Sequence, residues 1–260
     1  MTVIALLDGC IQAAVGRAGR RPEVRGLYSL PCGREEWKSV LACLFDTCAL
    51  PKREVTLLLP REVVTTRLLT LPAMSSRATA EAVAHEMEEG LITDYLPLTT
   101  RGSTRRYLAA VCKESVVEEF EEAFSCLGVK LCRISTPLES LLKILSVTEK
   151  LRGQSFLWLA ADMGGVESVL VEKGQCVWRG RSPLSVSPGT AELKRALEET
   201  VQDVRRFRGE VGKVYYTGPA AEGMEAFPSC GAFGLIPEGK TFEEYYYVLG
   251  SLLRMRREEP

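Results

Sequence analysis

Two stretches of this chain repeat one pattern, and the repeat narrows the possible folds more than any other feature. Residues 156–165 read FLWLAADMGG, an apolar run ending in Asp162 and the glycines Gly164 and Gly165. A second apolar run over 167–171, a Lys173-Gly174 hairpin and a third run around Trp178 follow at once. The pattern predicts a buried strand, an Asp-x-Gly-Gly turn and two further strands. Residues 3–17 carry the same order in a worn form: VIALL, then Asp8-Gly9, then CIQAAVGR. Each unit is followed by an amphipathic helix, so the chain reads as an internal duplication with a cleft between two lobes. A carboxylate followed by glycines at a strand end lets backbone N–H groups approach a phosphate, and the Asp can hold Mg²⁺ through water. A tight hairpin would use the same glycines for a purely structural reason. The repetition is what favours a phosphate turn.

At 260 residues the chain can bury a full core as one large or two modest domains. Its composition is that of an ordinary soluble protein, and a net charge of −1 leaves no electrostatic footprint for nucleic acid. Nine cysteines are scattered without a C-x-x-C pair, which argues against zinc or a disulfide framework and for a reducing cytoplasm. His85 is the single histidine, which removes most metal and triad chemistry; no catalytic residue and no metal site are expected. The first apolar run contains Asp8 and lacks a basic flank, so no signal peptide is expected. No run reaches the roughly 20 apolar residues needed to span a bilayer, so no direct membrane insertion is expected.

Strands are predicted over 2–7, 10–17 and 23–30, a helix over 34–48, and a buried parallel strand over 55–59. Val63 to Leu71 alternates as an edge strand. Ser75 or Ser76 caps a helix with Ala80, Val83, Ala84, Met87 and Leu91 on one face. Its glutamates (81, 86, 88 and 89) read as a solvated face, and His85 as solvent-facing. Tyr95 to Leu98 reads as a turn, 107–112 as a strand, 113–127 as a helix stopped by Gly128, and 129–134 as a strand before the helix opened by Pro137. The boundary falls at 151–154, giving lobes 1–150 and 151–260. In the second lobe Pro188 leads into a helix over Thr190 to Arg208, and 213–217 is a strand. A short helix, a short strand near 232–235 and a last helix from Phe242 to about Arg257, set to pack back toward the first lobe, complete it. The basic end, Arg254 to Arg257, complements that helix's dipole.

In this order the motifs resemble the PilM proteins of type IV pilus assembly, with the cytoplasmic domain of GspL from type II secretion as a sibling. The resemblance rests on Leu59-Pro60-Arg61 through Leu71-Pro72-Ala73, Ala82-Val83-x-x-Glu86, Tyr95-Leu96-Pro97 and Leu108-Ala109-Ala110-Val111. It continues through Leu127-Gly128-Val129, Asp162-Met163-Gly164, Val214-x-x-Thr217-Gly218 and Tyr247-x-Leu249-Gly250-x-Leu252-Leu253-Arg254. It implies an α/β, actin-like fold of two ribonuclease H-like lobes, with an inserted α+β subdomain at about 62–135. It also implies a cytoplasmic adaptor of an inner-membrane platform, of a pilus or secretion system, held to the membrane by the N-terminal peptide of a PilN-like single-span protein. The groove for that peptide would lie at Val64, Arg67, Leu69, Tyr107, Ala109 and Val111. Monomer and homodimer are both compatible with this reading.

The nucleotide site implied by the resemblance comprises Asp8, Gly9, Asp162, Gly164, Gly165 and Gly218, and it departs from the family. The first turn is shortened to Asp8-Gly9-Cys10 and lacks the hydroxyl run and the lysine. Glu167 places a carboxylate near the phosphate position, Pro219 replaces a glycine of the adenosine turn, and Ser135 stands where an Asp is usual. The expectation is a degenerate site without cofactor, the alternative an Mg-ATP-binding switch or ATPase on the same residues. A phosphotransferase would need a positioned base and an in-line clamp, and the sequence offers neither.

Overall fold

The computed structural model describes residues 1–86, 91–101, 103–162, 164–184, 189–218, 224–228, 232–234 and 236–254, the side chains of 99–101 excepted. Strands β1 (Thr2–Leu7), β2 (Cys10–Arg17) and β3 (Glu23–Pro31) form an antiparallel meander. Helix α1 (Trp37–Thr47) leads to β4 (Val55–Leu58), whose four residues are all buried and run parallel to β1. A parallel strand covered on both faces reads as an unbroken apolar run, which is why residues 55–59 announced it.

The chain then leaves this sheet for β5 (Val64–Pro72), α2 (Ser76–His85), β6 (Leu91–Arg101) and β7 (Thr104–Lys113), and returns through α3 (Glu114–Cys126) to β8 (Leu131–Ser135). After α4 (Pro137–Val147) the second unit repeats the first: β9 (Phe156–Asp162), β10 (Gly165–Glu172), β11 (Gln175–Pro183), α5 (Thr190–Arg208), β12 (Lys213–Thr217) and β13 (Glu225–Ala226). The sheet orders are β3-β2-β1-β4-β8 and β11-β10-β9-β12-β13, the same arrangement twice, with β5-β7-β6 as a separate sheet. The final helix, α6 (Phe242–Leu252), is buried along nearly its whole length between α4 and the strands β1 and β2. Gly250 is what lets α6 cross α4 closely: a Cβ there would lie 2.5 Å from the Ser140 carbonyl oxygen.

Several expectations need correction. The segment outside the first sheet ends near residue 113, not 135, because β8 pairs with β4 and α3 buries Phe120 and Phe124 against Leu41, Leu44 and Phe45. Two parallel strands need a crossover helix, and α3 is that helix. Leu91 begins β6 and does not extend the face of α2. Tyr95 to Leu98 lies within β6 and is no turn: Pro97 sits on an edge strand at a shift of register, where its missing N–H breaks no ladder. The fifth strand of the second sheet is the two-residue β13, and residues 232–234 are not strand. Helix α6 stops at Leu252, and Leu253 bridges to Gly19. The expectations for Met87, Glu88, Glu89, Pro188, Pro219, Leu235 and residues 255–257 fall outside the described residues.

The inserted sheet packs on the second lobe. Leu68, Leu96 and Leu108 share one core with Val169, Val171 and Cys176, and Arg106 Nη1 donates to the Cys176 carbonyl at 3.2 Å. Ser75 caps α2 by accepting from the Ala78 N–H, and His85 is exposed at its end. Among the described residues no helix is long and apolar enough to cross a membrane.

Candidate functional site

The two duplicated turns meet at the cleft between the lobes. Leu7 pairs with Cys10, so Asp8 and Gly9 alone make the first turn, with Gly9 at φ 81° in the conformation that favours glycine. In the second turn the Gly164 N–H donates to Asp162 Oδ1 at 3.0 Å, and Gly165 opens β10 at φ 156°. A Cβ on Gly164 would overlap the Asp8 carboxylate, so the turns touch. Gly218, at φ 138°, passes close to the Ala161 carbonyl at the end of β12. Asp8, Asp162 and Gly218 border one cavity of about 850 Å³ together with Tyr216, Lys240 and Tyr245.

Three arginines fill the space around the carboxylates. Arg61 follows Pro60 at the end of β4, in a short 3₁₀ turn. Its guanidinium lies 4.7 Å from the centre of the Tyr247 ring, 2.7 Å from Asp162 Oδ2 and, through Nε, 3.6 Å from Glu167 Oε2. None of its N–H groups makes an aligned hydrogen bond, so the attraction is Coulombic. Burial works against the Arg61 charge, and the charges of Asp162 and Glu167 more than offset it. Arg179 donates to Glu167 Oε1 at 3.4 Å and to the Thr66 carbonyl at 2.6 Å. Arg181 donates to Asp8 Oδ2 and to the Gly164 carbonyl, both at 3.1 Å.

A hydrogen bond with Glu62, reinforced by burial and by the Glu62 charge, raises the Asp8 carboxyl to about 6, against the pull of Arg181 and Arg61. Glu62 is held below its ordinary value: burial opposes this, and the hydrogen bond from Asp8, a backbone hydrogen bond and the charges of Arg181 and Arg34 together outweigh it. The folded state therefore binds more protons than the unfolded chain between the ordinary aspartate range and pH 6. Stability from Asp8 is present at low pH and lost as pH rises through about 6. Half-exposure and the opposing shift of Glu62 reduce the effect to about 1 kcal/mol. Thermal melts across pH 4 to 7 are expected to show this decline in the wild type and its loss in Asp8→Asn.

A second concavity, of about 390 Å³, lies between the inserted sheet and the first lobe. Its walls come from β6 and β7 on one side and from α3 and β8 on the other, with Ile92, Leu96, Ala110, Val117 and Ile134 as apolar lining. Glu139 lies at its edge, buried, accepting from Ser135, from Arg133 at 2.6 Å and from Lys143 at 2.8 Å. Ser135, placed where the resemblance expects an Asp, thus joins a local carboxylate.

The six groove residues expected from sequence divide between two faces. Val64 lines the concavity, and Val111 borders it only at its edge, its side chain packing with Val83 and Ala109 on the opposite face. Tyr107 and Ala109 are buried on the opposite face beneath α2, where Leu69 also packs with Val83, and Arg67 is exposed outside it. Alternation along β7 explains the error: Leu108 and Ala110 point into the groove, and Tyr107 and Ala109 point away. The arginines of the cleft were also missed, although a signal exists. Glu167 interrupts an apolar strand, and a buried carboxylate requires a cation, which Arg179 supplies from the neighbouring strand beside Arg61.

The doubled five-stranded order and the cleft between its copies define an actin-like fold. No family model matches the chain, and no curated protein matches its sequence. Among solved structures it is similar to the PilM-PilN type IV pilus biogenesis complex, at 17% identity and a TM-score of 0.77 over 96% of this chain and 97% of that one. It is also similar to the cytoplasmic domain of EpsL, an inner-membrane component of the type II secretion system of Vibrio cholerae, at 13% identity and a TM-score of 0.58 over 96% and 94%. A Bacteroides thetaiotaomicron protein with an actin-like ATPase fold aligns at 13% identity and a TM-score of 0.51 over 85% and 82%. These likenesses establish a PilM-like, actin-like architecture along nearly the whole chain.

Proposed function

We propose that this protein is a cytoplasmic adaptor of a type IV pilus or type II secretion-like assembly platform. It holds the N-terminal peptide of a PilN-like single-span membrane protein in the groove between the inserted sheet and the first lobe. The observation that carries the reading is the make-up of that groove. β6 and β8 are edge strands of two different sheets, both border it, and apolar side chains line it. An unpaired strand edge accepts an extended peptide through backbone hydrogen bonds, and the flanking apolar pockets select its side chains. Similarity to a structure of a PilM-PilN complex supports this choice of partner. The cleft does not support phosphotransfer, since Asp8 and Asp162 are engaged by Arg181 and Arg61.

The test is a titration of the full-length protein with the N-terminal peptide of the single-span protein encoded beside it. Saturable binding is expected, weakened at least about tenfold, or 1.4 kcal/mol, by Ala110→Trp, which fills the groove. Absence of binding, or binding indifferent to that substitution, would refute the placement.

A further inference from the structure

The geometry points to a built-in replacement for the nucleotide of this fold: Arg61, Arg179 and Arg181 bracket the cleft and hold both lobes and the inserted sheet closed without Mg-ATP. The residues of the cleft do not fit that cofactor. The first turn has only two residues, and Asp8 lies against Gly164, so the two turns touch where a phosphate chain would pass between them. The Gly164 N–H, which a phosphate would need, is committed to Asp162. Mg²⁺ would require free carboxylates, and Asp8 and Asp162 are each ion-paired to an arginine.

Charge gives the same answer. Three guanidiniums face the carboxyls of Asp8, Glu62, Asp162 and Glu167, and Asp8 and Glu62 share a hydrogen bond that holds a proton only below about pH 6. Above pH 6 the four carboxylates outnumber the three guanidiniums, so a polyphosphate would add uncompensated negative charge. Helix α6, whose first turn borders the cavity, is capped by its own Thr241 and carries Glu243 and Glu244 there, which repel an anion from the helix N-terminus.

What a bridging ligand would do, the arginines do. Arg61 comes from the chain entering the inserted sheet and reaches Asp162 and Glu167 of the second lobe. Arg179 runs the other way, from the second lobe to the Thr66 carbonyl on β5. Arg181 ties the second lobe to Asp8 of the first. The inserted sheet, and with it the groove, is thereby fixed in one position. This inference goes beyond the adaptor reading, which stands on the groove and is tested separately there.

The experiment is calorimetry of the full-length protein with Mg-ATP, paired with hydrogen–deuterium exchange of the ligand-free protein. At millimolar Mg-ATP no binding heat is expected, and backbone amides of β5 and β11 are expected to be well protected. Arg61→Met should speed their exchange about tenfold or more, with Arg61→Lys restoring part of the protection. Micromolar Mg-ATP binding by the wild type, abolished by Asp162→Ala, would overturn the proposal. So would rapid exchange of β5 and β11 in the wild type that Mg-ATP slows, or exchange unchanged by Arg61→Met. The wild-type measurements decide the matter even if the variants fold poorly.

Discussion

Glu167→Ala is expected to lower the free energy of unfolding by about 3–5 kcal/mol, the range for removing one partner of a buried ion cluster. The Glu167 side chain is 3% exposed and is the counter-charge shared by Arg61 and Arg179. Its loss leaves Arg61 with Asp162 alone, and leaves Arg179 with the Thr66 carbonyl. Neither guanidinium can shed its charge, because arginine stays protonated at any ordinary pH. The strain is relieved only by letting water in, which means parting the inserted sheet from the second lobe. A loss of this size is a large share of the roughly 5–15 kcal/mol that holds a typical domain folded. It should appear as a drop of about 10 °C in Tm for a chain of this length. Glu167→Gln keeps the shape and one acceptor, so it should fall between the two proteins. If thermal and urea unfolding show Glu167→Ala to be as stable as the wild type, the cluster has no structural role.

Gly250→Val carries the second large effect, and its sign runs against helix propensity. In an unhindered helix, replacing glycine by alanine stabilises by about 1 kcal/mol. Here a Cβ would stand 2.5 Å from the Ser140 carbonyl oxygen and 2.9 Å from Ile144 Cδ1, both on α4. A side chain can rotate aside, but the backbone of a helix packed on both lobes cannot. The two helices must separate, and α6 also rests on β1 and β2, so the disturbance reaches the first sheet. The expected cost is about 3 kcal/mol for valine, toward the upper end for overpacking. Gly250→Ala should already be destabilising, and a neutral or stabilising alanine in urea denaturation would show that the crossing is looser than described.

The legible part of this protein was whatever depends on local pattern. Buried parallel strands declared themselves as apolar runs at 55–59 and 156–161, and the Asp-Gly turns marked the duplication. Helix α5 was readable from end to end because its stripe is long and its neighbours are polar. Where an element owes its form to a distant partner, the reading failed. Pro97 looked like a turn because nothing local shows that β6 needs no N–H there. Tyr107 and Ala109 were placed in the groove because alternation shows that two faces exist, not which one meets α2. Arg61 read as part of a motif, and the fact that it ends between Asp162 and Glu167 depends on contacts about a hundred residues away.

By itself, then, the amino-acid order determined the doubled strand pattern, the helices and the turn positions, because hydrophobic periodicity and glycine act over a few residues. Tertiary structure alone decided what the cleft and the groove are. Charge pairing and edge-strand exposure come from segments far apart in the chain, and they exist only once the three sheets have packed together.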